Sequence, residues 1–340
     1  MSSRQRLAQP SARLHRKARW PLSDHFDGKR FFNPTHPGSA PSPRVVLKML
    51  REPRAKWPKF VENIGVPRLH ATLADDEAAL TFINHATFLI QFAGKTILTD
   101  PIWSMRAGPA WPLGPRRVRK PGVAFADLPK IDIVLLTHNH YDHLDLPTLR
   151  RLKRAFAPTV LFAAGDRRLI GPLGFPAMHE LDWWDVVTID DTLKITFVPA
   201  QHFSARTTWD RQHSLWGGYV IEHRGHRIYF EGDSGYSRHF AEIAARLGAP
   251  DIAILGIGAY EPRWFMTPVH MYPAEAVRAH RDLGARLSIG MHFGTFQLTA
   301  EAFEQPKRDL AAALAAEGIG EHEFITLLEG ETRRFRRPGV

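Results

Sequence analysis

Four side chains able to hold a metal ion crowd into six residues: His138, His140, Asp142 and His143, in the run T-H-N-H-Y-D-H. They follow directly on Ile131–Leu136, an apolar stretch of strand length. In extended backbone, residues i and i+2 share a face, so side chains leaving one strand end at this spacing converge on a small volume. A lone histidine is ordinarily a packed or solvated residue; four metal-competent groups so placed predict a metal site. The chain has no cysteine and eighteen histidines, so the ligands must be imidazoles and carboxylates. That donor set suits zinc best, with iron or manganese as alternatives. The missing thiols exclude zinc fingers, iron–sulfur clusters, disulfide scaffolds and cysteine nucleophiles.

The elements that would carry such a site read as short strands in groups, separated by helices. Leu80–Ile83, Thr87–Phe92 and Thr96–Thr99 form a hairpin series with Gly94 at a turn. Further strands are expected at Val160–Ala163, Val186–Ile189, Lys194–Val198, Gly218–His223, Arg227–Phe230, Ile252–Ile257, Leu287–Met291, Phe324–Leu328 and Thr332–Phe335. Helices are expected at Val45–Arg51, Leu146–Phe156, Asp166–Gly171, Tyr236–Leu247, Pro273–Leu283 and Pro306–Glu317. Strict βαβ alternation is missing. The pattern therefore predicts an α/β (α+β) fold of two mixed sheets packed face to face with helices outside. The loop Pro101–Pro121 is too long for a mere connector and is expected to be functional.

Charge divides the chain. Residues 1–70 hold fifteen Lys/Arg against four Asp/Glu, whereas the whole chain carries +10. Residues 1–70 thus read as a basic, proline-rich, partly irregular extension, and residues 71–340 as the catalytic domain. Such an arm suits an anionic lipid surface, nucleic acid or simple solubility. Arg4, Arg6, Arg13, Arg16, Lys17 and Arg19 interrupt the start of the chain, so no secretory signal is read there. No stretch approaches the roughly 20 apolar residues that span a bilayer. The sequence points to a cytoplasmic protein, at most peripheral to a membrane.

The run T-H-N-H-Y-D-H resembles the H-x-H-x-D-H signature of the metallo-β-lactamase superfamily, whose fold is a four-layer αβ/βα sandwich. Matching positions for its remaining ligands are His202 in P-A-Q-H-F, Asp233 in F-E-G-D-S-G-Y and His292 in G-M-H-F-G-T-F. The resemblance implies one metal on His138, His140 and His202, a second on Asp142, His143 and His292, and Asp233 between them. Longer segments narrow it: N-H-A-T-F-L-I-Q, L-T-D-P-I-W-S-M-R-A-G-P, L-D-W-W, R-T-T-W-D-R-Q-H-S-L-W-G-G and G-A-Y-E-P-R-W-F-M. These resemble N-acyl-phosphatidylethanolamine-hydrolysing phospholipases D and their bacterial relatives. Glu231 departs from that pattern, where a small residue is usual, and so does Phe293, where Trp is common.

The resemblance implies a dinuclear zinc hydrolase in which a metal-bridging hydroxide attacks a phosphodiester, so that no Ser or Cys nucleophile is needed. The implied substrate is N-acyl-phosphatidylethanolamine, cleaved to N-acylethanolamine and phosphatidic acid, with Asp142, Asp233 and His270 as catalytic candidates. The alternative is the same site acting on another ester, lactone, amide or phosphodiester. Nucleic-acid processing through the basic arm is disfavoured, since the arm lacks the interleaved aromatics of a single-strand groove. Around the site, Asp100 either orients a ligand histidine or caps the turn before Pro101. His270 either lines the pocket or is structural, and Arg263 either meets phosphate or pairs with Glu261. Tyr260 and Trp264 fall on the expected pocket wall, whereas Trp183 and Trp184 read as packing residues.

Overall fold

A computed structural model of the chain describes residues 20–36, 41–69, 73–110 and 112–336. The basic cluster Arg4–Arg19 lies outside the described residues. Two seven-stranded sheets organise the rest. The first contains β1 (Glu77–Asn84), β2 (Thr87–Phe92), β3 (Lys95–Thr99), β4 (Ile133–Leu136), β5 (Thr159–Ala163) and β6 (Ala177–Leu181). The second contains β7 (Val186–Thr188), β8 (Leu193–Val198), β9 (Gly218–His223), β10 (His226–Phe230), β11 (Ile252–Gly256), β12 (Leu287–Met291) and β13 (Phe324–Thr326). The last strand, β14 (Thr332–Arg336), returns to the first sheet and pairs antiparallel with β1.

The two sheets are built alike. In the first, β14, β1, β2 and β3 are antiparallel and β3, β4, β5 and β6 parallel. In the second, β13, β12, β11 and β10 are parallel and β10, β9, β8 and β7 antiparallel. Both are mixed, as the sequence pattern predicts. The strand absent from that reading is β6: A-M-H-E-L has no β-branched residue, so its strand state comes from parallel pairing with β5 rather than from propensity.

Alternation along β4 shows how the layers arise. Ile133 and Leu135 belong to the core between the sheets, with Phe82, Phe197, Tyr219 and Ile254. Val134 and Leu136 face the other way, joining Leu149 and Leu152 of α2 (Leu146–Ala155), which follows α1 (Pro43–Leu50) in the chain. A period of two on a strand buried on both faces yields a continuous apolar run, which is what I-V-L-L is. Between α2 and the next long helix lies the single turn α3 (Arg167–Ile170). Across the second sheet, α4 (His239–Leu247) and α6 (Pro273–Leu283) pack side by side, with α7 (Gln305–Glu317) against α6; a second single turn, α5 (Arg263–Met266), precedes α6. Helix, sheet, sheet, helix is the four-layer sandwich expected.

Residues 20–36 are strapped onto this body. Phe26 and Phe31 are buried in the inter-sheet core, and the Phe31 amide donates to Gln212 O at 2.9 Å. Among the described residues no helix is long and apolar enough to cross a membrane.

Candidate metal centre

Every candidate metal ligand, and Asp100 behind them, leaves the C-terminal end of a strand, whereas His270 comes from the loop between α5 and α6. His85 follows β1, Asp100 follows β3 and the His138–His143 run follows β4; from the other sheet come His202 after β8, Asp233 after β10 and His292 after β12. Ends of strands from both sheets thus meet at one rim, where open α/β sheets hold ligands. Backbone there is strained: His85 (φ 49°), Asp100 (φ 32°) and His292 (φ 64°) all occupy the left-handed region, which β-region residues avoid and functional sites tolerate. Gly232 (φ +72°) brings Asp233 against the end of β4, where a Cβ would stand 2.7 Å from Thr137 Cβ.

Two buried clusters result: His138, His140, His202 and Asp233, and His85, Asp142, His143 and His292. His140 Nδ1 lies 2.8 Å from His138 Nε2 and 3.1 Å from His202 Nε2. Asp233 Oδ2 completes the group at 3.8 Å from His138 and 3.6 Å from His202. In the second cluster, His143 Nε2 lies 3.5 Å from Asp142 Oδ2 and 3.1 Å from Asp233 Oδ2. His292 Nε2 lies 3.4 Å from Asp142 Oδ2 and 3.3 Å from Asp233 Oδ1. Zinc–nitrogen bonds of roughly 2.0–2.1 Å in a tetrahedron separate donors by about 3.4 Å, which both sets bracket.

The far side of each ring fixes its tautomer. His202 Nδ1 donates to Val269 O at 2.8 Å, and His143 Nδ1 donates to Asp100 Oδ2 at 2.7 Å. Thr137 Oγ1 gives its proton to Asp100 Oδ2 at 2.6 Å, so at 3.0 Å from His138 Nδ1 it accepts. His138 and His202, both neutral, are left with a bare Nε2 lone pair turned inward, whereas the carboxylates around His143 favour a proton on its Nε2, which a bound cation would displace. Inward imidazole nitrogens gathered around the buried carboxylates of Asp142 and Asp233 make a site that a cation would satisfy, so the donor set fits a metal ion. Asp100 therefore orients His143 rather than serving only the turn before Pro101; the Thr137 amide also donates to its Oδ1 at 2.9 Å.

Electrostatics follow from burial and proximity. Burial, aided by neighbouring rings, holds His138 and His202 well below the ordinary histidine range, and burial draws His140 down to about 4. Burial alone would also lower His143, but Asp233, Asp142 and Asp100 outweigh it and hold it well above that range. Burial pushes the Asp233 carboxyl up; His143, His292 and His270 overcome it and keep it well below the usual value. The centre is an ionised carboxylate pair among imidazoles, most of them neutral and ready to ligate.

His85 is the residue that the sequence reading overlooks. Its Nε2 is 2.9 Å from Asp142 Oδ2 and its ring lies 4.0 Å from that of His292. The signal was present in N-H-A-T directly after a predicted strand. His270 joins a third grouping with Asp233 and His292, its Nε2 3.9 Å from Asp233 Oδ2. Burial brings it down to about 3, so it is neutral at physiological pH.

The remaining candidates resolve into support. Arg263 does not form the ion pair with Glu261: its Nη2 meets Glu275 at 2.7 Å, while Glu261 accepts from its backbone amide at 3.0 Å. Tyr260 donates to Asp309 at 2.6 Å. Trp183 stacks on His25 at 4.3 Å and donates to Trp216 O, and Trp184 lies under Arg246; both are packing residues. Trp264 is half exposed on the wall of a cavity of about 690 Å³. His202 stands at that cavity's inner end, with Phe203, Phe265, Val269 and Val45 lining it. Arg206, outside the expected set, donates from Nη1 to Asn139 O and Leu144 O, both at 2.8 Å, and spans both ends of the His138–His143 run.

Comparison with known proteins agrees with this geometry. Residues 95–293 match the model of the β-lactamase superfamily domain. The chain is 35% identical over 329 residues to N-acyl-phosphatidylethanolamine-hydrolyzing phospholipase D 1 of Caenorhabditis elegans, covering 90% of this chain and 92% of that protein. It is 34% identical over 236 residues to the mitochondrial N-acyl-phosphatidylethanolamine-hydrolyzing phospholipase D of Saccharomyces cerevisiae, covering 68% of this chain and 50% of the relative. Among solved structures, an isothiocyanate hydrolase from Delia radicum gut bacteria superposes with a TM-score of 0.61 at 24% identity, over 76% of this chain and all (100%) of that one. With strand ends from two sheets meeting in paired histidine–aspartate clusters, and a relative matched over 90% of the chain, the protein belongs to the β-lactamase superfamily as a metal-dependent hydrolase.

Proposed function

We propose that this protein is a dinuclear zinc phosphodiesterase that cleaves N-acyl-phosphatidylethanolamine to N-acylethanolamine and phosphatidic acid. The observation that carries the reading is the 35% identity to the nematode phospholipase, which extends over 90% of the chain. His138, His140 and His202 would hold one ion, Asp142, His143 and His292 the other, and Asp233 would serve both, its Oδ2 lying between His202 (3.6 Å) and His143 (3.1 Å) and its Oδ1 3.3 Å from His292. When bound, the ions supply an activated water and offset the charge that develops on the phosphoryl oxygens. Iron or manganese would satisfy the same donors.

The chain's own residues would do the rest. His85 steadies the Asp142 carboxylate and Asp100 the His143 ring. His270, neutral and at the rim, would take up at Nε2 the proton released by the attacking water and pass it to the ethanolamine-side oxygen as the phosphorus–oxygen bond to it breaks. The apolar cavity running from His202 to the surface suits acyl chains, and Val45 on α1 lends it a wall from the basic N-terminal region. That region would meet an anionic bilayer peripherally, from the cytoplasm. Residues 71–340 form the catalytic unit in this reading, with residues 1–70 as its extension.

The test is direct. Metal-reconstituted protein is given vesicles containing labelled N-acyl-phosphatidylethanolamine, beside a panel of lactones, carboxylic esters and soluble phosphodiesters. Release of N-acylethanolamine with phosphatidate supports the reading. Turnover of another panel member with the lipid left intact would transfer the site to that substrate.

A further inference from the structure

A cation, Arg211, stands in the wall of the apolar cavity without an acidic partner among the described residues. The Arg211 guanidinium lies over the Phe203 ring at 3.9 Å, and that ring sits edge-on to His140 at 4.5 Å. Arg211 is thus one ring removed from the first metal cluster. Its Nε is buried with no hydrogen-bond partner. The obvious carboxylate, neighbouring Asp210, is occupied elsewhere: it accepts from Arg168 at 3.0 Å and from the amides of Arg206 and Thr207. Burial first, and then repulsion from another cation, Arg30, pull the Arg211 pKa below the usual arginine value. Hydrophobic neighbours and a second positive charge make this an expensive place for a guanidinium, which an anion in the cavity would relieve. The aromatic face beneath it offsets only part of that cost.

We infer that Arg211 is a substrate-positioning residue that takes the negatively charged phosphoryl group of a ligand whose apolar tail fills the same cavity. This rests on the phosphodiester reading of the metal centre. Hydrolysis of a phosphodiester leaves a monoester whose charge at neutral pH approaches −2. A cation at this place would therefore grip product more tightly than substrate, and specify phosphate esters over uncharged esters of the same length.

Binding, not turnover, tests this. Metal-loaded wild type, R211Q and R211K are titrated calorimetrically with decyl phosphate, its uncharged dimethyl triester and inorganic phosphate, after equal metal content has been verified. Loss of a charge-assisted contact should weaken decyl phosphate about 10- to 100-fold in R211Q, leave the triester within about 3-fold, and be largely recovered in R211K. Inorganic phosphate weakened by the same factor would also support the site and assign it to phosphate irrespective of the tail. Equal weakening of decyl phosphate and triester, or no change in either, would overturn the inference. A wild type that binds decyl phosphate through Arg211 yet leaves N-acyl-phosphatidylethanolamine intact would refute the substrate and keep the subsite. Lipid hydrolysis with binding indifferent to Arg211 would do the reverse.

Discussion

His143 and Asp100 are joined at 2.7 Å through Nδ1 and Oδ2, each fully buried, so that the ring's other nitrogen is aimed at Asp233, 3.1 Å away. An outer partner of this kind fixes the tautomer and raises the basicity of the inward nitrogen. Replacing Asp100 by Asn removes the charge while nearly preserving shape. D100N should lower metal affinity about 10- to 100-fold, measured by competition with a chromophoric chelator. Unchanged affinity would reduce Asp100 to a turn residue.

Arg206 ties the two ends of the metal loop through Asn139 O and Leu144 O and lies over the Tyr141 ring at 3.9 Å. R206Q leaves at least one of these buried carbonyls without its charged donor. A stability loss of about 1–3 kcal/mol is expected, with weakened metal binding alongside it. Denaturant titration of the metal-free and metal-loaded variant separates the two, and a loss confined to stability would deny the loop-positioning role.

Asp166 gives a pH signature. It is buried, accepts from Asn139 Nδ2 at 2.9 Å, and burial raises its carboxyl to about 7. The folded protein keeps this proton up to about pH 7, while the unfolded chain releases it near 4. The native state therefore binds more protons across that window, and stability falls as pH rises through it, by on the order of 4 kcal/mol at most. D166N keeps the acceptor and abolishes the titration. Its Tm advantage over wild type should grow from pH 5 to pH 8; parallel curves would contradict the assignment.

Removing metal should leave the inward imidazole nitrogens and buried carboxylates without their cation. Chelation is expected to lower Tm markedly and zinc to restore it, since a ligand at 1,000 times its Kd contributes about 4 kcal/mol. A Tm indifferent to chelator would mean that the clusters do not hold an ion with useful affinity.

Phe31 anchors residues 20–36, with Asn33 Nδ2 donating to His202 O at 2.8 Å just beyond it. F31A should cost about 3–5 kcal/mol and loosen the His202 side of the centre. Near-neutral stability would show the strap to be dispensable.

Much of this was legible in advance because the signals were local. The His138–His143 run sits directly on a strand whose apolar pattern is unmistakable, and Gly218–His223, Pro273–Leu283 and Leu287–Met291 coincide residue for residue with the observed elements. What escaped depended on contacts distant in sequence. His85 is one histidine among eighteen until the chain folds and brings it within 2.9 Å of Asp142, 57 residues away in sequence. Arg263 has Glu261 as its sequence neighbour, but the helix N-terminus brings Glu275, with its carboxylate already aimed at the Tyr272 amide, into better position. β6 exists because β5 presents an edge, and Arg206 matters because of where two carbonyls end up.

The placement of the site at the meeting of two sheets also sets a schedule. The first cluster draws on residues from His138 to Asp233, but the second is incomplete without His292, which β12 delivers only after most of the chain exists. A nascent chain can thus assemble the first three-histidine set long before the second. If the proposed pair of ions binds, its two sites would become available in the order the chain is made, the first complete in sequence at Asp233 and the second only when β12 is followed by His292.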